Sequence, residues 1–240
     1  MIEELIRTSL TGFSARSILD IGPGYADFSR LSARLTGAER ITFVDSDPAV
    51  LQFQRDECSR AHIEAGFTSF DFADTQRITN TERYNLIHCQ EVLEHLTSPR
   101  TFLDRISSML LPGGRMIITV PTGISERWLK RLNPGYMRNE LHGHVQEFEA
   151  NDLRRLAEEC GLRILEFVPA QPQYFVAHTW MALTRMKVEG ATGKLLTGGV
   201  RASAFSFILR ASQYFFRLTG ERFWGKLLPR NYFVLAERPL

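Results

Sequence analysis

Short apolar runs alternate with segments of helical spacing along the first two-thirds of the chain. This alternation limits the possible folds more than any other feature. Ser17–Ile21 (SILDI), Ile41–Val44 (ITFV), Tyr84–Cys89 (YNLIHC) and Arg115–Val120 (RMIITV) read as buried strands, with Thr68–Phe72 a weaker one. Between them Phe28–Leu35, the region from Pro48 to Ser59, and Pro99–Leu110 read as helices. The last of these spaces Phe102, Ile106, Met109 and Leu110 along one face, and Pro112-Gly113-Gly114 is expected to stop it. Asp152–Cys160, ended by Gly161, is a further helix; Leu162–Val168 and Tyr232–Ala236 are two further strands. Strands separated by helix-length segments imply βαβ units, hence the α/β class and a mostly parallel sheet with helices on both faces. Two segments break the pattern, 122–150 and 171–230. The second separates the last two strands by about sixty residues, far above an ordinary connection. Both inserts are expected to form a substrate cap or lid on one domain spanning residues 1–240, the second as a helical insert before the last strand.

Composition excludes several classes. In 240 residues, 44% are apolar and 23% charged, enough to bury a core and too apolar for a disordered chain. No stretch reaches 18 apolar residues, so no helix is expected to span a bilayer unaided. The start, MIEELIRTSL, carries acids where a secretory signal carries bases. Cys58, Cys89 and Cys160 lie far apart with no CxxC pair, which argues for a cytoplasmic protein without a disulfide framework or structural zinc. The net charge of +2 hides an asymmetry: residues 1–170 hold 19 Lys/Arg against 24 Asp/Glu, residues 171–240 hold 10 against 3. The tail therefore has a surface role unlike the body's.

The first strand runs straight into Gly22-Pro23-Gly24-Tyr25-Ala26-Asp27. A strand, two glycines and a following helix place backbone N–H groups where a ligand can approach the main chain. The plainer reading is a tight strand–helix turn. A dinucleotide fingerprint would place a third glycine at position 27; Asp27 there is expected to repel a pyrophosphate. Asp45 ends the second strand, where a carboxylate can accept both hydroxyls of a ribose. Asp47-Pro48 supplies the cap and first position of the next helix, which leaves Asp45 available for a ligand.

Taken in order, ILDIGPGYADFS, ITFVDSDP, YNLIHCQEVLEHL and LLPGGRMIITVP resemble the successive motifs of class I S-adenosylmethionine-dependent methyltransferases, most closely the ubiquinone-biosynthesis O-methyltransferase type. HGHVQEFEANDLRRLAEECGL continues the likeness and NYFVLAERP resembles the family's final strand. Ala26 stands where the family usually has a third glycine. The resemblance implies a Rossmann-like seven-stranded sheet with an antiparallel last strand, and S-adenosyl-L-methionine as cofactor. It implies that Gly22 and Gly24 pass under the methionine part, that Asp20 lies near its amino group, and that Asp45, with Ser46 beside it, holds the ribose. Asp71 and Phe72 would neighbour the adenine, with Asp74 competing for that place, and Gln90 would face the amino-acid end.

Glu91, Glu94 and His95 stand at i, i+3 and i+4. If the segment after Cys89 is helical, they share one face. Two carboxylates and an imidazole suit Mg²⁺ or Mn²⁺. Together with His142 and His144 of the insert after the fifth strand, the ExxEH and HxH pattern resembles the metal constellation of small-RNA 3′-terminal 2′-O-methyltransferases. That likeness implies Glu91, Glu94, His95 and His144 around one ion. An oxygen acceptor needs deprotonation, by a base or by a cation; His144 is the first candidate and His142 the second. The plainer reading makes these residues caps and loop side chains.

The insert at 201–230 mixes Phe205, Phe207, Ile208, Leu209, Tyr214, Phe215, Phe216, Leu218, Phe223 and Trp224 with Arg201, Arg210, Arg217, Lys226 and Arg230. Phe205, Ile208, Leu209 and Phe216 could share one helical face. Three roles compete: a lid over the acceptor, peripheral contact with an anionic membrane, and, ranked last because the whole-chain charge is nearly neutral, nucleic-acid binding. The expected activity is methyl transfer to a small or lipophilic acceptor, at oxygen. The alternatives are a metal-dependent RNA 2′-O-methyltransferase, a nicotinamide-dependent oxidoreductase, and a binding module without catalysis.

Overall fold

In the computed structural model the described residues are 1–69, 82–134, 143–184, 188–189, 194–195 and 200–240. The elements in chain order are α1 (Ile2–Ser9), β1 (Ser17–Ile21), α2 (Phe28–Thr36), β2 (Arg40–Asp45), α3 (Pro48–Ala61), β3 (Glu64–Ser69), β4 (Tyr84–Gln90), a 3₁₀ turn (Leu93–His95), α4 (Pro99–Ser108), β5 (Leu110–Pro121), α5 (Gly123–Leu132), α6 (Ala150–Glu159), β6 (Arg163–Ala170), α7 (Pro172–Thr184), the two-residue strands β7 (Val188–Glu189) and β8 (Lys194–Leu195), α8 (Val200–Thr219), α9 (Glu221–Leu227) and β9 (Asn231–Glu237).

Seven strands form one sheet in the order β3-β2-β1-β4-β5-β9-β6. β1 pairs parallel with β2 and β4, and β9 runs antiparallel to both β5 and β6. The sheet is thus the expected one, antiparallel only at its last strand in sequence. Alternation along the central strands supplies two cores. Ile18, Leu86 and Ile117 enter one cluster; Leu19, Ile87 and Ile118 enter the other. Strand order reverses between β1 and β4, so the crevice beyond their carboxyl ends is where this architecture places ligands.

Local chemistry explains most boundaries. The Asp47 carboxylate accepts from the Ala49 N–H at 2.8 Å with Pro48 at the first turn of α3, as the sequence suggested. Three expectations need correction. The third strand begins at Glu64, before the expected Thr68, because it pairs residue for residue with Arg40–Asp45 and stacks Phe67 on Phe43 at 5.5 Å; residues 70–72 of that expectation lie outside the described residues. Helix α4 stops at Ser108, so Pro112-Gly113-Gly114 does not end it. Those three residues lie inside β5, where the register slips between Tyr84↔Leu110 and Leu86↔Arg115 and Gly113 adopts φ +73. Lastly, the segment after Cys89 is not a helix: β4 continues to Gln90, Glu91 turns at φ +55, and only Leu93–His95 winds, as 3₁₀.

Phe205, Ile208, Leu209 and Phe216 of the second insert all turn inward to some degree. α7 packs on α8, and α9 lies on β6. The α9 contact depends on Gly225, where a Cβ would sit 2.5 Å from the Pro169 carbonyl oxygen. Among the described residues no helix is long and apolar enough to cross a membrane, and the three cysteines are buried thiols.

Gly225→Ala is expected to lower unfolding stability by about 1–3 kcal/mol despite alanine's better helix propensity, because the added methyl lifts α9 off the strand. Urea unfolding reads this directly; an unchanged midpoint would contradict the close seating.

Candidate functional site

A cavity of about 330 Å³ opens at the carboxyl ends of β1 and β4. Asp20, Gly22, Gly24 and Gln90 line it, together with Tyr174 and His178 of α7. Gly22 and Gly24 take φ +64 and +52, and a Cβ at Gly22 would meet the Val92 Cγ2 methyl at 2.6 Å. The Gly22 N–H donates to Val44 O at 2.9 Å. Buried Gln54 of α3 props the bend from behind, its Nε2 donating to Gly24 O (2.8 Å) and Ala26 O (3.2 Å), while Arg30 donates to its Oε1. Ala26 leaves the turn intact.

Asp27 corrects an expectation. Its carboxylate pairs with Arg30 Nε at 2.6 Å and Arg34 Nη2 at 2.7 Å, and it is not in the cavity wall. Its charge is tied back onto α2 and gives no ground for excluding a phosphate.

Asp20 is buried, and burial lifts its pKa from 3.8 to about 7; the Ser29 hydroxyl and Arg30 oppose the rise, and Asp45 adds to it. Gln90 Nε2 lies 2.9 Å from His88 Nδ1, and His88 Nε2 lies 3.0 Å from Ser32 Oγ. Full burial brings His88 down to about 3, so the ring is neutral at ordinary pH. With Gln90 as donor, His88 Nδ1 accepts and Nε2–H donates to Ser32. The amide carbonyl oxygen of Gln90 is left for the cavity. His88 is a partner that sequence reading missed; it stands two residues before Gln90, on the same face of the strand.

Asp45 ends β2 and is buried, which raises its pKa; its Oδ1 accepts from the Asp47 N–H at 2.9 Å. It does not line this cavity, and Ser46 beside it is exposed. Asp71, Phe72 and Asp74 lie outside the described residues, as does His142.

Donor atoms of Glu94, His95 and His144 lie within 4.8 Å of one another. Glu94 is 1% exposed, and neither carboxylate oxygen has a hydrogen-bond partner among the described residues. Burial raises its pKa well above the usual range, and Glu91 adds to the rise. The His95 and His144 rings meet edge-on at 4.9 Å, and burial lowers His95 to about 4. The loop carrying His144 is fixed by Val145 and Gln146 N–H groups donating to Glu94 O at 2.8 and 3.1 Å. Glu91, expected in this group, stands outside it. Its left-handed turn sends it toward β5 and β9, where its Oε1 accepts from Thr119 Oγ1 and Asn231 Nδ2.

Glu126, 1% exposed on α5, joins the two regions. One oxygen meets His144 Nδ1 at 3.0 Å and the other meets Arg230 Nη1 at 2.8 Å. Arg230 and Glu91 also line the cavity, so the acid–imidazole group adjoins its wall. Sequence reading missed Glu126, which resembles any acid of an amphipathic helix, and treated Arg230 as one of many surface cations. No spacing links residues 126, 144 and 230; only the return of β9 beside β5 does.

A family profile described as "Methyltransferase domain" matches residues 1–166. The mitochondrial ubiquinone biosynthesis O-methyltransferase of Schizosaccharomyces pombe is 32% identical over 120 residues, covering 50% of this chain. The chain spans only 42% of that relative's length. Among solved structures, the N-methyltransferase NodS of Bradyrhizobium japonicum in complex with S-adenosyl-L-homocysteine aligns with a TM-score of 0.57 at 17% identity, covering 100% of this chain and 86% of that one. The [4+2]-cyclase SpnF aligns at 0.63 and 14%, covering 100% and 81%. At such identities the structures speak for the fold alone; two differently named activities on one architecture leave the reaction to be argued from the site.

The raised Asp20 pKa has a measurable consequence. The folded chain holds that proton more tightly than the unfolded chain. The resulting stability is fully present below the ordinary value of 3.8 and is lost as pH rises through about 7. Asp20→Asn should remove this dependence. In urea unfolding of the ligand-free protein, the variant should gain on wild type by about 1.4 kcal/mol per pH unit across that window. A pH-independent difference would contradict the burial of an ionisable Asp20.

Proposed function

Because the chain belongs to the class I S-adenosylmethionine-dependent methyltransferases, we propose that it methylates an oxygen of a small, lipophilic acceptor and that Glu94, His95 and His144 hold a divalent cation for that step. When bound, S-adenosylmethionine supplies an electrophilic methyl group. A divalent cation supplies charge that lowers the pKa of an acceptor hydroxyl.

The chain's own residues divide the remaining work. Gly22 and Gly24 let the main chain approach the cofactor closely. Ionised Asp20 and the Gln90 carbonyl oxygen accept from its ammonium group. Asp45 accepts from the ribose hydroxyls with the oxygen not committed to Asp47. Glu126 accepts from His144 Nδ1–H, which directs the Nε2 lone pair of His144 outward as a ligand or a proton acceptor. Tyr174 and His178 of α7 add an aromatic wall to the cavity.

The observation that carries this reading is Glu94. A carboxylate with two buried, unsatisfied oxygens is costly, and a cation beside two imidazoles relieves that cost. With Glu91 outside, the donors are one carboxylate and two imidazoles, a set that suits Mn²⁺ better than Mg²⁺. The likeness to the yeast ubiquinone biosynthesis O-methyltransferase supports an oxygen acceptor with a lipophilic body.

The test is transfer of a labelled methyl from S-adenosylmethionine to a catechol bearing an alkyl tail. EDTA should reduce turnover by about a hundredfold or more, Mn²⁺ should restore it, and Glu94→Gln should abolish the Mn²⁺ binding seen by electron paramagnetic resonance. Turnover indifferent to chelator would retire the cation; labelling of amine acceptors alone would retire the oxygen.

A further inference from the structure

We propose that α8 and α9 form a docking face for an anionic lipid surface. Phe207, Ala211, Tyr214 and Leu218 follow one another at i, i+4, i+7 and i+11 along α8 and make one apolar stripe. The three large side chains are 72%, 68% and 68% exposed, so the stripe is not a lid packed on the body. Beyond Gly220, α9 adds exposed Phe223 and Leu227. The two helices are bound together: the Trp224 ring meets Phe215 at 5.7 Å and Phe216 at 5.6 Å, and its Nε1 donates to Thr219 Oγ1 at 2.8 Å. A rigidly held patch of this kind marks a binding surface.

Charge selects the partner. Exposed Arg210, Arg217, Arg222 and Lys226 flank the apolar residues. Arg222 reaches Glu166 at 3.9 Å, while no described acid pairs with Arg210, Arg217 or Lys226. Glu221 is the single acid between residues 204 and 230. Apolar side chains between unpaired cations match a membrane of acyl chains beneath anionic headgroups. A second copy of this face would bring like charges together. A nucleic acid would find no stacking surface on Leu218 or Leu227.

The same helix lines a second chamber of about 310 Å³ through Gln213 and Arg217. That chamber shares Ile2, Phe28, Gln171 and Tyr174 with the cofactor cavity. The docking helix therefore adjoins a chamber that neighbours the cofactor cavity. Lipid binding itself stands apart from methyl transfer and is read on the ligand-free chain.

The experiment is flotation of the full chain with vesicles of phosphatidylcholine and phosphatidylglycerol (7:3), and with phosphatidylcholine alone, at 0.1 M salt. Binding to the mixed vesicles is expected, at least about tenfold weaker to the neutral ones, and weaker again at high salt. Phe207→Ser/Tyr214→Ser/Leu218→Ser should abolish it with circular dichroism unchanged. Arg210→Gln and Arg217→Gln should each weaken it by about fivefold. Protein left in solution with both vesicle types would overturn the proposal. So would flotation surviving the triple substitution, a concentration-dependent dimer that the triple substitution abolishes in a chain that does not float, or poly(U) displacing the vesicles.

Discussion

The bare α-carbon of Gly22 is the constraint on which the site depends. β1 must end, turn left-handed and pass Val92 at a separation that excludes any side chain. That close passage aligns the glycine bend with the end of β4 and leaves room for a ligand above both. The bend is held from behind by Gln54 and Arg30, so it is a built feature and not the slack end of a strand. Asp27, one turn further on, serves the same structure by pairing with Arg30 and Arg34.

A second constraint is electrostatic. Glu126, Arg230, His144 and Glu94 come from α5, the start of β9, the first insert and the 3₁₀ turn. Burying so many ionisable groups costs more than an apolar core of the same volume would. They are connected in series by Glu126, which neutralises Arg230 on one side and orients His144 on the other. The series fixes two inserts onto the sheet edge where the glycine bend ends, so the fold and the acid–imidazole group share one set of contacts. Glu94 is the exception, an ionisable group whose buried oxygens have no hydrogen-bond partner among the described residues, and it is the point at which the structure asks for a partner.

Most of the fold was legible because it rests on periodicity. Ile18 and Leu19, then Leu86 and Ile87, announce two strands buried on both faces, and Asp47-Pro48 announces a helix start. The misplaced features all depend on pairing across the sheet. Pro112-Gly113-Gly114 looks like a helix stop, yet it becomes a bulge because Leu110 finds Tyr84. Thr68–Phe72 read as a weak strand, but alignment with β2 starts the strand at Glu64. The spacing of Glu91, Glu94 and His95 suggested a shared helical face. A left-handed Glu91 broke that face, leaving Glu94 and His95 with His144 while Glu91 turned to Thr119 and Asn231. Glu126 and His88 were invisible because their meaning lies in residues far away or in a hydrogen bond made behind the strand.

On this reading the glycine bend after β1 and the carboxylate that ends β2 together grip a sulfonium nucleoside. Calorimetric titration with S-adenosyl-L-homocysteine, on wild type and on Asp45→Asn, tests it most directly. Asparagine keeps the oxygen that accepts from the Asp47 N–H and replaces the other, so the turn survives while the ribose loses a charged acceptor. One saturable site, weakened by about tenfold or more in the variant, is the predicted result. Equal affinity in the two proteins, or no heat from either, would contradict it.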